Sequence, residues 1–369
     1  MSLSNQSLTA LALRKFRKNF WGVFSFVFIA VLVFIAIFGY FITPDNSKYA
    51  NWGDLAIRSK EPGFKVTMLR IPLENQPERH WYDYFTGHPE TAIQKPINDY
   101  RIANDSLYFT EYSEDKSIVI SDKIPLMAFG RNIDQKKIES QFITEKKFLL
   151  GTDNQGRDLL SRLIIGSRVS IAIGFVAVLI SLIVGVFFGA LAGYYGGKVD
   201  ALVMWLINVI WSIPTLLLVI AITLALGKGF WQVFVAVGLT MWVEVARVVR
   251  GQVMGIKEMQ YVTAARALGY TNSRIIFHHI LPNSMAPVIV ISAANFASAI
   301  LVESGLSFLG LGAQLPVPSW GAMIKDNYNY IILGKPYLAV IPGVAMLLMV
   351  LAFMMIGNAL RDALDVKAT

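Results

Sequence analysis

Hydrophobic and polar positions in this chain segregate into long blocks. Uncharged apolar windows cover Phe20–Thr43, Val169–Gly197, Ala201–Gly227, Ser284–Val302 and Pro336–Leu360, and a further run starts at Gly229 and ends at Glu244. Most exceed the roughly 20 residues that an α-helix needs to cross about 30 Å of hydrocarbon. The Gly229 run reaches that length by continuing to Val249 with Glu244 tolerated inside it. The pattern predicts an all-α polytopic membrane protein with six transmembrane helices.

Between the fourth and fifth runs lies a short polar connection, patterned as structure. Its Arg and Lys residues, Arg247, Arg250, Lys257, Arg266 and Arg274, place it in the cytoplasm by the positive-inside rule. Propensity predicts a helix through Ala264, Ala265, Arg266, Ala267 and Leu268, a break at Gly269, and a second helix from Asn272 to a stop at Pro282. A compact helix–Gly–helix on the inner face gives a soluble partner something to grip. Basic residues at Arg14-Lys15-Phe16-Arg17-Lys18 fix the N-terminus inside, and six crossings return the C-terminus, with Arg361 and Lys367, to the same side. The first run is expected to be a retained anchor, because it outlasts a signal-peptide core of about 7–15 residues and its exit, Gly39 to Pro44, has no A-x-A site.

The polar block 44–149 differs in kind. It carries Trp52, Phe64, Trp81, Tyr82, Tyr84, Phe85, Tyr100, Tyr108 and Phe109, and strand-like runs at Lys65–Ile71 and Ser117–Ser121. It reads as a small, β-containing extracytoplasmic domain between helices 1 and 2, since loops beyond about 60 residues escape the charge rule. A spacer packed over the outer mouth and a docking site for an outside partner are both open readings. The chain then divides into an N-terminal part with the first helix (1–43), this inserted domain (44–149) and a five-helix core (150–369) with the cytoplasmic loop 251–282.

Composition agrees with the blocks: 55 % of the 369 residues are hydrophobic and mean hydropathy is +0.52, far too apolar for a soluble chain of this length. The net charge of +8 sits largely at helix ends, where it sets orientation, so nucleic-acid binding is not expected. With no cysteine, disulfides and thiol chemistry are excluded.

Few residues carry candidate chemistry. Asp153, Asn154 and Asp158 follow Gly151 in a turn, and Asp158 is expected to cap a helix bearing Leu159, Leu160, Leu163 and Ile164; a cation loop would need a fuller D-x-[DN]-x-[DN]-G spacing. Pro214 sits inside a span and marks a kink, a possible hinge or a packing device. Glu244 is within i, i+3 of Arg247 and should pair with it at the membrane edge. Glu303, near the outer end of the fifth helix, has no cation in sequence reach and is the candidate for a pathway or inter-subunit contact, capping by the following Gly-rich loop being the alternative. Small residues recur in two spans, Gly174, Gly185, Gly189, Ala190 and Gly193 in one and Ser292 to Ala299 in the other, as close helix packing in lipid requires. The Gly- and Pro-broken segment Ser304–Lys335 suggests a re-entrant or interface-lying element.

No G-x-x-x-x-G-K-[ST] loop, H-E-x-x-H or G-x-S-x-G is present, and the four histidines form no ligand set. Two classes remain: a membrane subunit driven by a separate ATPase, and a self-sufficient secondary transporter or membrane enzyme. The spans contain no inverted repeat and no midplane charge of the kind ion-coupled transporters use.

Five segments decide between them: LGTDNQGRDLLSRLIIGSR (150–168), AGYYGGKVD (192–200), ARALGYTNSRIIFHHILPN (265–283), ESGLSFLGLGAQLPVPSWGAMI (303–324) and GNALRDALD (357–365). Together they resemble the second, C-type permease subunit of the dipeptide/oligopeptide/nickel family of bacterial ABC importers, over nearly the whole chain except 44–149. The family's E-A-A-x-x-x-G loop is matched by Thr263-Ala264-Ala265-Arg266-Ala267-Leu268-Gly269, followed by Ile280-Leu281-Pro282, with Thr263 where the family has Glu. The long insertion departs from typical members and is similar to relatives that handle larger peptides, such as microcin-type permeases. The resemblance implies a type I importer permease fold in the bacterial inner membrane and a homologous second permease as partner. It further implies two ABC ATPases that hold ATP and Mg and grip the 256–282 loop, and an extracytoplasmic binding protein. This chain itself would be no enzyme and hold no cofactor; its cargo would be peptides or similar small solutes.

Overall fold

The computed structural model describes residues 8–115, 117, 119–130, 134–227, 229–312, 314 and 316–364. It opens with the amphipathic helix α1 (Leu8–Lys18) and the apolar helix α2 (Phe20–Ile42), separated by Asn19, whose side chain accepts a hydrogen bond from the Gly22 amide at 2.9 Å.

The inserted domain is a five-stranded antiparallel sheet. Its elements in chain order are β1 (Phe64–Pro72), the short helix α3 (Asp83–Thr86), β2 (Ala92–Ala103), β3 (Ser106–Glu111), β4 (Ser121–Pro125), α4 (Gln135–Phe142) and β5 (Ile143–Phe148). The strand order is β4-β3-β2-β1-β5. The β2–β3 hairpin turns on Asn104 and Asp105, both at left-handed φ near 50°, which residues with short polar side chains tolerate. Leu69, Ile97, Leu107, Phe109, Phe129 and Ile138 fill one cluster, and Trp52, Ile57, Val66, Met68 and Phe148 a second. The expected strand Lys65–Ile71 lies within β1. The other does not form as expected: the Asp115 side chain accepts from both the amide and the hydroxyl of Ser117, turning the chain there, and β4 begins only at Ser121. Ile118, within that run, lies outside the described residues.

The sheet is clamped to the helices at 151–158. The Thr152 hydroxyl accepts from the Lys60 amide, and Gly156 (φ +75°) packs against the backbone of Asp54, where a side chain has no room. Asp153 accepts from the Gln155 and Arg157 amides and from Arg157 Nε at 2.7 Å, with Arg162 Nε 3.5 Å away. Asp158 caps the next helix through the Ser161 amide, and burial pushes its carboxyl above the usual range. These carboxylates are occupied by arginines and backbone, and among the described residues no group of His, Asp and Glu is placed to hold a metal ion.

From Asp158 runs α5 (Leu159–Tyr195), one uninterrupted helix of 37 residues and about 55 Å at 1.5 Å per residue. The apolar window opening at Val169 therefore understates it, because buried Arg162 and half-buried Arg168 extend it toward the sheet; Arg168 donates to the carbonyls of Phe85 (2.7 Å) and Ile37 (3.3 Å). Next come α6 (Gly197–Trp211) and α7 (Thr215–Leu226), bent by 93° across Ser212-Ile213-Pro214. The single span expected over 201–227 is thus a broken pair. Pro214 cannot donate an amide, and its carbonyl accepts from Leu218 to start α7 anew.

The remaining helices are α8 (Phe230–Ile256), α9 (Gln260–Ala267), α10 (Asn272–Ile275), α11 (Leu281–Phe308), α12 (Trp320–Asn327) and α13 (Tyr337–Leu364). Among the described residues, five stretches are long and apolar enough to cross a membrane, or six if the bent pair counts as one. The bundle is built on α5 against α8, with α11 packed on both and α13 covering α11 and α2. Segment 304–335 folds back through α12, whose Trp320 is buried and donates Nε1–H to the Leu163 carbonyl at 2.8 Å.

Candidate coupling site

At the bundle end remote from the sheet, α5 finishes, α8 gives way to α9, and α11 is entered through α10. Gly269 joins the two short helices in the left-handed region at φ +76°; its amide closes on the Arg266 carbonyl (2.9 Å) and the Tyr270 amide on the Ala265 carbonyl (3.2 Å). Nothing lies within 4 Å of where a Gly269 Cβ would sit, so backbone conformation alone demands glycine within this chain. Thr271 caps α10 by accepting from the Arg274 amide at 3.4 Å.

The second helix does not stop at Pro282. Residues 276–280 form a π-turn in which the Leu281 amide reaches back to the Ile276 carbonyl, and helix continues from Asn272 to Phe308. The wider turn relieves the clash that a proline ring makes with the preceding turn, so Pro282 opens α11 rather than ending α10.

This unit is fastened from beneath. Val262 and Ala265 are buried with Ala190, Tyr194, Val249 and Val253 from α5 and α8, and with Ile275, Ile276 and Ile280. The Tyr194 hydroxyl donates to Asn272 Oδ1 at 2.8 Å, and the Arg266 guanidinium lies 5.5 Å from the Tyr194 ring. Asn283 bridges the Tyr261 hydroxyl and the His279 carbonyl, while Arg250 and Asp200 form a two-pronged pair tying α6 to α8. Outward, the unit presents Thr263, Ala264, Arg266, Gly269 and Pro282, with Leu268 72 % and Phe277 65 % exposed. Ala265 points inward, so of the two alanines only Ala264 is on the free face. A unit that exposes Leu268 and Phe277 together with Arg266, Arg274 and His278, packed on the ends of two long helices, can receive a push from a docked protein and pass it along the helix axes. Sequence reasoning missed Tyr194, Asn272 and Asn283, which fasten the loop; the Tyr-Tyr-Gly-Gly run at the end of a span was the available signal for the first.

The other candidates lie apart from this unit. Glu303 is fully buried inside the chain; the Ser307 hydroxyl donates to its Oε1 at 2.6 Å, and Ser304 approaches its Oε2 at 3.5 Å. Pro214 stands at the α6–α7 break. The expected Glu244–Arg247 pair does not form. The Arg247 guanidinium stacks on the Trp211 ring at 3.6 Å and donates to Asn208 Oδ1 at 3.4 Å, while Glu244 is exposed. A cation–π contact from a distant helix outcompetes the local spacing.

Residues 185–369 match the family described as the binding-protein-dependent transport system inner membrane component, and residues 7–60 match the N-terminal TM domain of oligopeptide transport permease C. Neither match includes 61–184. The dipeptide transport system permease protein DppC of Alkalihalophilus pseudofirmus is 44 % identical over 217 residues, 59 % of this chain and 71 % of its own. The glutathione transport system permease protein GsiD of Pectobacterium atrosepticum is 40 % identical over 218 residues (59 % and 72 %), and the oligopeptide transport system permease protein OppC of Escherichia coli is 41 % identical over 223 residues (60 % and 74 %). The long apolar helices, the clamped Gly269 unit and these matches lead to one assignment: the chain belongs to the family of binding-protein-dependent transport system inner membrane components.

Proposed function

We propose that this chain is the C-type permease subunit of an ATP-driven importer of peptides or similar small solutes, forming half of the translocation path. The observation that carries the reading is the α9–Gly269–α10 unit, whose inner face is packed onto the ends of α5 and α8 and whose outer face exposes both apolar and basic side chains. The relatives' names, which speak of dipeptide, oligopeptide and glutathione transport, support the substrate class. In this reading the partners are a homologous permease, two ATPases that bind ATP and Mg, and a soluble binding protein; this chain has no ATP site of its own. The six-crossing, type I importer arrangement puts both termini and the Gly269 unit in the cytoplasm and the sheet domain outside the inner membrane of a bacterium.

The packing supports a mechanism. ATPase closure displaces α9, and Val262, Ala265 and the Tyr194–Asn272 hydrogen bond oblige α5, α8 and α11 to move with it. The membrane bundle then exchanges one packing for another, a rigid-body switch with no chemistry in this subunit. Affinity purification of the tagged chain in mild detergent, followed by mass spectrometry, tests the assembly. Co-recovery of a second permease and P-loop ATPases is expected; a chain recovered alone from several detergents, with ATP-independent uptake in liposomes, contradicts the proposal and supports a secondary transporter.

A further inference from the structure

Between the sheet and the linker leaving α2 lies a cavity of about 510 Å³, within the range of pockets that enclose small ligands. The linker is pinned there: the Asp45 amide donates to the Ser161 hydroxyl at 3.0 Å, the His88 amide to the Asn46 carbonyl at 2.9 Å, and Gly87 (φ +96°) lies against the Lys48 backbone, where a Cβ would come within 2.6 Å of Lys48 Cα. The cavity is therefore formed by fixed backbone on two sides.

Its polar lining is dipolar and unsatisfied. Asp45 is only 5 % exposed; its Oδ1 accepts from the Ser47 amide at 3.0 Å, but its Oδ2 is buried with no hydrogen-bond partner. His88 Nδ1 is likewise buried and unpartnered. Lys146, which feels the charge of Asp45, does not pair with it: its ammonium lies over the rings of Trp52 (4.6 Å) and Phe148 (5.1 Å). Arg70 on β1 and Arg79 on the β1–α3 connection also line the cavity, and neither has a carboxylate partner among the described residues; the same holds for Glu90 and a cation. A buried carboxylate oxygen without a donor loses its hydration uncompensated unless a ligand supplies one. Two acids and two arginines that leave each other unpaired suit a ligand carrying both charges. A metal ion does not fit, since no trio of His, Asp and Glu converges here among the described residues.

We propose that this cavity binds a short peptide with free termini, its ammonium group donating to Asp45 Oδ2 and His88 Nδ1 and its carboxylate received by Arg70 and Arg79. The sheet domain is then a solute-binding module carried by the permease itself. This rests on the peptide class of the function proposed above but not on the ATPase assembly.

The test uses the full chain alone in lipid nanodiscs and titration calorimetry with trialanine, N-acetyl-trialanine and trialanine amide. Trialanine is expected to bind, and each blocked peptide to bind at least about tenfold more weakly, the loss typical of a charged hydrogen bond. Asp45→Asn should weaken trialanine by a similar factor while leaving the N-acetyl form unchanged. Arg79→Gln, at an exposed and unpaired side chain, should weaken trialanine while leaving the amide unchanged, and it serves if Asp45→Asn fails to fold. Absence of trialanine binding, equal affinity for blocked and free peptides, or wild-type affinity in the Arg79→Gln protein overturns the proposal. Because no ATPase is present, a failed importer assembly and a failed peptide site give separate results.

Discussion

Replacing Gly189 by alanine perturbs the contact on which the bundle is built. Gly185, Gly189 and Gly193 stand one turn apart on α5 and face the backbone of α8. A Cβ would fall 2.7 Å from the Trp242 carbonyl oxygen at Gly185, 2.5 Å from that of Ala246 at Gly189, and 2.8 Å from that of Arg250 at Gly193. Ordinary contact needs about 3.5 Å, so Gly189→Ala forces α8 outward by about 1 Å, and backbone cannot rotate away as a side chain would. Overpacking of this kind costs about 1–3 kcal/mol, offset by the roughly 1 kcal/mol that alanine gains over glycine in a helix. The net loss, up to about 2 kcal/mol for alanine and more for leucine, should lower the apparent melting temperature in detergent by up to a few degrees. Gly251→Ala and Gly255→Ala on α8 are the controls: nothing lies within 4 Å of either position, so both should melt at or above the wild type. Size-exclusion profiles after a temperature series would separate the two groups. If Gly189→Ala proved as stable as Gly251→Ala, the close α5–α8 approach would be refuted, and with it the rigid transmission from α9.

Three further outcomes are expected. Gly269→Asp, at a position where an added side chain would meet nothing within the chain, should leave expression and membrane insertion intact but abolish ATPase co-purification; Gly269→Asn, which tolerates left-handed φ, should retain part of it. Asp153→Ala leaves Arg157 and Arg162, each about 3 % exposed at the side chain, without their carboxylate, and should cost about 3–5 kcal/mol, seen as protease sensitivity at residues 150–160. Lys60 holds the exposed Glu114 carboxyl below its usual range, so this solvent-screened pair adds a small stabilisation above the unfolded carboxyl pKa that disappears as pH falls through the lower folded value. Glu114→Gln should therefore melt slightly below wild type at pH 7, with the gap closing in acid; a gap that persists or widens in acid would contradict the pairing.

Legibility in the sequence followed the range of the forces involved. Apolar run length announces helices such as α2 and α13 because lipid exposure requires it, and the Asp158 cap is local enough to be seen in its spacing. The length of α5 was hidden by Arg162 and Arg168, which look like a boundary until Asp153 and the Phe85 carbonyl are placed around them. The α6–α7 break was visible as Pro214 but not its 93° bend, which depends on what each half packs against. Local spacing misled twice. Glu244 and Arg247 are three residues apart, yet Trp211 from another helix takes the arginine, and a π-turn carries the helix past Pro282. The peptide-sized cavity was not legible at all, because Asp45, Arg70, Arg79 and His88 meet only through the sheet register and the Gly87 contact.

The central claim is that this chain gates a path under the control of ATPases docked on the Gly269 unit. Its most direct test is solute uptake by proteoliposomes containing the co-purified assembly with its binding protein, with ATP enclosed or absent, for wild type and for Gly269→Asp. The account predicts peptide uptake that requires ATP and falls to background in the variant. Uptake that proceeds equally without ATP, or that survives Gly269→Asp at the wild-type rate, would contradict it.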